Sequence, residues 1–289
     1  MHLEECSELF VTRFVNAPAN KPVLKIPKNM HTQQQKSVLV TGAARRIGRV
    51  IALALAQRGW HVAVHYGRSA LEAADTVHQI HALGGHAAAV QCDLADAAAV
   101  STLLARAAVA LQLPLASFGC VVNNASLFEH DSAADFSPEL LERHMRANLT
   151  APILLMQALH AATKDGAQAV AINLLDQKLF NLNPDFLSYT LSKAALHTAT
   201  TMLAQALAPK LRVVGIAPGI TLISGDQTEA GFAAAHQRTP LGQSSMPEDI
   251  AATVCFVLEN RAITGTTIVV DGGQHLIPLQ RDVMFVATP

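Results

Sequence analysis

Tyr189 and Lys193 stand four residues apart in Ser188-Tyr-Thr-Leu-Ser-Lys193, and an acid, Asp176, lies upstream at the end of the apolar run Ala169-Val-Ala-Ile-Asn-Leu-Leu175. Positions i and i+4 share a helix face, so the Lys193 ammonium can sit beside the Tyr189 phenol. A cation there favours the phenolate and draws a pKa of about 10 toward neutrality. A tyrosine tuned in this way is a general acid at physiological pH. A lone Tyr-x-x-x-Lys fits a solvated helix face equally well, and its weight here comes from the motifs around it.

Those residues need elements to hold them. From Ser37 onward short apolar runs alternate with longer segments of helical period, the pattern of a parallel sheet covered on both faces. Strands are expected at Ser37–Val40, His61–His65, Ala87–Gln91, Gly119–Asn123, Val170–Leu174, Arg212–Ile216 and Thr267–Val270. Helices are expected near 46–58, 69–84, 97–111, 136–164, 186–208 and 247–258. The result is a doubly wound, Rossmann-type α/β fold with seven parallel strands, whose ligands lie beyond the carboxyl ends of the strands. No linker or repeat divides 36–275, which reads as one domain, with 276–289 as a C-terminal tail. The tail's Arg281 and Phe285 either reach a neighbouring subunit or fray with the chain end. Ile220–Pro240, with Gly225 and Gly231, breaks the rhythm and reads as a mobile loop over the substrate.

Composition narrows the class. A net charge of -1 argues against a nucleic-acid binder, and no apolar run approaches the roughly 20 residues of a membrane helix. Cys6, Cys92, Cys120 and Cys255 lack metal-ligand spacing and read as reduced thiols, pointing to a cytoplasmic protein and to no metal. Residues 1–35 carry Glu4, Glu5, Glu8 and Arg13 where a secretory signal would be apolar. They are expected to form a disordered or partly disordered extension, with Met30 a candidate start.

The first strand runs into Thr41-Gly-Ala-Ala-Arg-Arg-Ile-Gly48 and then a helix. In that context a glycine-rich turn lets backbone N–H groups approach a pyrophosphate, with Gly42 and Gly48 as the positions that need no side chain. Arg46 occupies the place where a middle glycine is often found, and Arg45 precedes it; both are suited to anion contact. The second strand ends in His65-Tyr-Gly-Arg-Ser69 without an acid to accept from a ribose 2′-OH. Arg68 and Ser69 instead offer donors to a 2′-phosphate, so NADPH is the expected cofactor. Asp93, followed by Leu94, is a candidate for the adenine amine, while Asp96 is a helix cap. Asn123-Asn-Ala-Ser126 can bracket the ribose and nicotinamide or serve as a tight turn. Asn148, ahead of Pro152, holds either a kink or a water chain. Pro218-Gly219 is a turn whose backbone can meet the carboxamide, and Asp271-Gly-Gly273 is structural.

Taken in order, Thr41-Gly…Gly48, Asn123-Asn-Ala125, Asn148, Tyr189-x-x-x-Lys193, Pro218-Gly219 and Asp271-Gly-Gly273 resemble the short-chain dehydrogenases/reductases over roughly residues 36–275. The resemblance implies NAD(P)-dependent hydride transfer, with Tyr189 as proton donor, Lys193 on the nicotinamide ribose, Asn148 in a proton relay, and a dimer or tetramer as the assembly. Most members carry a serine at the end of the fifth strand, where this chain has Asp176. A carboxylate is a poor partner for a developing alkoxide, but with a tyrosine it is a good conduit for protons to a ring nitrogen.

Together with Ile47, His65, Tyr66 and Asn124-Ala-Ser-Leu-Phe128, this resembles the pteridine reductase and dihydromonapterin reductase branch. That resemblance implies NADPH-dependent reduction of C=N bonds in dihydropterins, and sometimes in dihydrofolate. It places Phe128 over the pterin, Ser126 near its amino group or a cofactor phosphate, and Arg46 on both a phosphate and the pterin carbonyl. Two other readings stay open: a carbonyl reductase or alcohol dehydrogenase of the same family, and a non-catalytic NADP sensor.

Overall fold

Ser37–Val40 (β1) is buried at every residue, with Val38 and Val40 in one apolar layer and Leu39 in the other. Such two-sided burial marks a strand covered by helices on both faces. The computed structural model describes residues 36–223 and 227–286. After β1 come His61–Tyr66 (β2), Ala87–Gln91 (β3), Phe118–Asn123 (β4), Ala169–Leu174 (β5), Leu211–Pro218 (β6) and Thr267–Val270 (β7). They form one parallel sheet in the order β3-β2-β1-β4-β5-β6-β7. The direction of winding reverses between β1 and β4, which opens a crevice at their carboxyl ends.

Arg46–Gln57 (α1) buries Gly48, Ile51, Ala52, Leu55 and Ala56, the spacing of one helix face. Ala70–Ala82 (α2) follows β2. The helix expected over 97–111 is broken into Ala97–Ser101 (α3) and Leu103–Ala110 (α4). At the break the hydroxyls of Ser101 and Thr102 donate to Ala98 O and Ala99 O, competing with the helical ladder. Asp96 caps α3 as expected, accepting from Ala98 N and Ala99 N.

The helix expected over 136–164 is Pro138–Met145 (α5) and Ala151–Ala162 (α6), joined by a π-helical turn, Arg146–Thr150. Pro152 has no N–H to give to the carbonyl of Asn148, and the helix widens there. Leu187–Ala206 (α7) buries Ser188, Tyr189, Ser192, Lys193, Leu196, Thr200 and Ala204, so Tyr189 and Lys193 do share its inward face.

The expected loop Ile220–Pro240 is not wholly loop. Thr228 accepts from Gly231 N and starts a helix, Glu229–Gln237 (α8), whose alanine-rich sequence favours it. Pro247–Glu259 (α9) packs back on the sheet beside α1. The tail closes with a single turn, Val283–Val286 (α10), seated on its own chain rather than frayed. Arg281 Nε donates to both carboxylate oxygens of Asp185, and Phe285 lies parallel to Phe186 at 5.9 Å between ring centroids. The expected extension 1–35 lies outside the described residues. Cys92, Cys120 and Cys255 are free and buried, and among the described residues no helix is long and apolar enough to cross a membrane.

Candidate active site

A cleft of about 570 Å³ opens over the carboxyl ends of the central strands. Its walls bring together the turn after β1, the tip of β2, the segments after β4 and β5, the inward face of α7, and Pro218-Gly219. At its centre Tyr189 Oη donates to Asp176 Oδ2 at 2.7 Å. Asp176 follows β5 and opens a 3-10 turn, Gln177–Phe180, by accepting from Lys178 N at 2.8 Å. That backbone bond fixes one carboxylate oxygen and leaves the other for the phenol.

The electrostatics of this pair correct the expectation for Tyr189. Burial, followed by the neighbouring Asp176 charge, pushes the phenol well above its ordinary value rather than toward neutrality. The Lys193 ammonium is 5.8 Å from the Tyr189 ring centroid and donates to Leu174 O at 2.7 Å, so the carboxylate, not the lysine, governs the phenol. Burial also raises Asp176, against its hydrogen bonds from Lys178 N and Tyr189. Lys193 is lowered to about 8 by burial, with Asp176 acting the other way. The phenol therefore keeps its proton at neutral pH.

Phe128, 38% exposed, borders the dyad. Its ring stands edge-on to Tyr189 at 4.7 Å and stacks on Phe186 at 4.3 Å. One face is thus occupied, and Phe186 is a site neighbour that no motif announced. Phe186 sits at the start of α7 with φ 55 and gives no side-chain cap. Asp131 supplies that cap instead, its carboxylate accepting from Ser188 N at 2.9 Å and from Ser188 Oγ. A buried carboxylate from the segment carrying Phe128 thereby fixes the end of the helix carrying Tyr189.

Asn148 is buried in the π-helical turn. Its Oδ1 accepts from Leu127 N at 2.7 Å, and its Nδ2 donates to Leu127 O at 2.9 Å and Ser192 Oγ at 3.0 Å. The expected kink is present, and the side chain ties Leu127 to Ser192 across it.

At the opposite end, Gly42 has φ 64, and a Cβ on Gly48 would stand 2.3 Å from Gly42 O. Only glycine fits that approach. Arg46, at the middle-glycine position, takes the same left-handed region with φ 54, at a cost of about 1–2 kcal/mol for a side chain. Arg46 Nη1 donates to Ile223 O at 2.7 Å, spanning from the turn to the loop after β6, and burial lowers its pKa. Arg45 is exposed and faces Glu72 at 3.7 Å, a pairing the sequence reading did not anticipate.

The start of α1 has neither a side-chain cap nor an acid in its first turn, leaving its N–H groups directed at the cleft. These features fit a pyrophosphate. Ile47, Tyr66, Gly67 and Ser69 also line the cleft, and Arg68 between the last two is exposed.

Several expected cofactor contacts instead brace the turn. His65 is buried; its Nδ1 accepts from Gly42 N at 3.0 Å, which leaves Nε2–H to donate to Cys92 O at 3.1 Å. Burial lowers its pKa to about 4, so the ring is neutral. Asn124 Nδ2 donates to Thr41 O at 2.8 Å, and Ala125 N donates to Thr41 Oγ1 at 3.0 Å. Asn124, Ala125 and Ser126 still line the cleft, as do Pro218 and Gly219, where an added Cβ would meet Ser244 Oγ at 2.4 Å. Asp93 and Leu94 border a second groove with Arg146 and Thr150, outside the main cleft, because Asp93 Oδ1 is turned back to accept from Ala95 N. Asp271 is structural as expected, accepting from Gly273 N and His275 N. Among the described residues no acid, histidine and cysteine cluster suits a metal.

A parallel seven-stranded sheet with a glycine turn and a buried Tyr–Lys helix face defines a Rossmann-type oxidoreductase, and comparison with known proteins agrees. Residues 42–275 match the enoyl-(acyl carrier protein) reductase family. The FolM alternative dihydrofolate reductase 1 of Brucella canis, solved in complex with NADP, is 39% identical at a TM-score of 0.81, covering 87% of this chain and 99% of that one. The L-rhamnose 1-dehydrogenase (NAD(P)(+)) of Sphingomonas sp. strain SKA58 is 31% identical over 86% of this chain and 99% of its own. The 3-oxoacyl-acyl-carrier-protein reductase of Staphylococcus aureus strain Mu50 is 32% identical over 83% and 98%. The chain belongs to the short-chain dehydrogenase/reductase family of oxidoreductases.

Proposed function

We propose that this protein is an NADPH-dependent reductase of dihydropterins, with dihydrofolate as a further candidate substrate. The observation that carries the reading is the 2.7 Å hydrogen bond from Tyr189 Oη to Asp176 Oδ2. The bond keeps the phenol protonated and fixes its direction, and a carboxylate repels the alkoxide that a ketone would develop. In this reading Tyr189 protonates a ring nitrogen, and Asp176 orients the phenol and passes back to the phenolate a proton taken up from solvent. Lys193 and Pro218-Gly219 would hold the nicotinamide end, and Gly42, Arg45, Arg46, Ile47 and Gly48 the pyrophosphate. Arg68 and Ser69 would read the 2′-phosphate, with Tyr66 beside them. NADPH bound there supplies the hydride. Phe128 presents its free face to the flat ring, while Ser126 and Arg46 offer polar contacts at its edge.

The NADP-bound Brucella neighbour supports this choice of cofactor and substrate class. Buried free thiols fit a reducing, cytoplasmic setting, and the family resemblance supports a dimer or tetramer and a reductase domain over 36–275. Spectrophotometry of NADPH oxidation with dihydromonapterin or dihydrobiopterin, set against a panel of ketones, tests the proposal; turnover of ketones alone would overturn it. A carbonyl reductase is the second reading, favoured by the sugar and oxoacyl substrates named for two relatives.

A further inference from the structure

The C-terminal segment returns to the cleft it was expected to leave. Asp282 and Val283 line the same wall system as Asp176, Tyr189 and Phe128. Lys178 anchors the segment from beneath, donating Nζ to Asp282 Oδ2 at 3.0 Å and to Asp185 O at 2.7 Å. The Lys178 side chain is 3% exposed and that of Asp282 14%, so the more accessible member of the pair is the carboxylate. Asp282 N donates to Asp185 Oδ2 at 2.7 Å, and the bidentate Arg281–Asp185 pair adds a second tether. Arg281 is outside the cleft lining, its guanidinium 5.1 Å from the Phe285 ring centroid. The Asp282 charge is felt at the reaction centre, where it raises both Asp176 and Tyr189.

We propose that Asp282, held by Lys178, is a specificity-determining residue that admits substrates with neutral, hydroxyl-bearing substituents and rejects those with a carboxylate-bearing tail. The proposal rests on the pterin reading for the identity of the reacting ring and narrows its substituent. An ionised carboxylate only accepts hydrogen bonds, so it takes hydroxyl donors readily and offers nothing to a second carboxylate. Lys178 also lines the cleft, but its ammonium is engaged by Asp282 Oδ2 and Asp185 O, so an anionic tail gains it only in competition with Asp282. Selectivity of this kind comes from a repulsive element as much as from an attractive one.

The test compares kcat/KM for a dihydropterin with a trihydroxypropyl side chain against dihydrofolate, in wild type and Asp282→Asn, with circular dichroism reporting the fold. Wild type is expected to prefer the neutral substrate, and Asp282→Asn to reduce that preference about tenfold, the scale of one screened like-charge contact. A ratio unmoved by Asp282→Asn, or a wild type that prefers dihydrofolate, overturns the proposal even where pterins turn over. The same ratio for 4-(hydroxymethyl)acetophenone against 4-acetylbenzoate separates the two claims. If only ketones react and Asp282→Asn erases a neutral preference, the pterin reading fails and the charge filter stands. Where a pair is not turned over, calorimetric binding to the NADP⁺-loaded enzyme reads the ratio instead, and equal binding of both members in wild type overturns the filter.

Discussion

Tyr189 gives its phenolic hydrogen to Asp176 over 2.7 Å. The bond joins the end of β5 to the buried face of α7, and it replaces an alcohol–phenol pair by an acid–phenol pair. If this dyad delivers the proton, Tyr189→Phe and Asp176→Ala each lower turnover by roughly 10²–10⁴ while NADPH affinity stays close to wild type. Stopped-flow turnover together with fluorescence titration of NADPH reads both quantities. Wild-type rates in Asp176→Ala would remove the acid from the mechanism.

The pH profile follows from the same residues. Tyr189 is raised well above its ordinary value, so the phenol keeps its proton through neutral pH and reduction does not slow there. Lys193, lowered to about 8, is the group that titrates next as pH rises. If Lys193 holds the nicotinamide end as proposed, loss of its charge lowers kcat/KM above about pH 8. In Lys193→Met the activity is low throughout and this limb disappears. A limb that persists in the variant assigns the titration to another group.

The proposed reading gives cofactor choice to Arg68, exposed between two cleft-lining residues at the tip of β2, where no acid stands. Arg68→Ala is expected to weaken NADPH by about tenfold or more, the scale of a lost charge-assisted pair, and to leave NADH nearly unchanged. Equal losses for the two cofactors would mean that the guanidinium does not read the 2′-phosphate.

Strand positions and the Tyr189–Lys193 face were legible because burial on both sides of a parallel sheet leaves continuous apolar runs, and because i, i+4 spacing fixes a helix face. The Asp176–Tyr189 contact was legible for a similar reason, since both residues end or begin elements whose order fixes where they meet. Other features needed coordinates. The raised phenol depends on how deeply the pair is buried, which spacing does not encode. His65 and Asn124 carry polar side chains at ligand-facing strand ends, yet both turn inward to satisfy the backbone of the glycine turn. The return of Asp282 to Lys178 joins positions far apart in sequence, with no periodic pattern to announce it. The left-handed Phe186 likewise had no signal, because side chains other than glycine, asparagine and aspartate seldom take that region.

His65 makes the glycine turn after β1 sensitive to acid. Its Nδ1 must be unprotonated to accept from Gly42 N, and burial lowers its pKa from 6.5 to about 4. Between those values the unfolded chain binds a proton that the folded chain refuses, so stability rises with pH across that interval. The contribution is fully present above pH 6.5 and is lost as pH falls through about 4, a change of about 3 kcal/mol on the ordinary conversion of pKa shift to free energy. Urea unfolding of wild type and His65→Asn at pH 7, 6, 5 and 4 isolates this contribution from that of the carboxylates. The asparagine keeps an acceptor for Gly42 N–H but does not titrate, so the wild-type curve is expected to fall more steeply from pH 6.5 downward. NADPH affinity is expected to fall with it, because the same protonation breaks the bond that shapes the turn. Parallel stability curves for the two proteins would show that His65 is not held neutral by the fold.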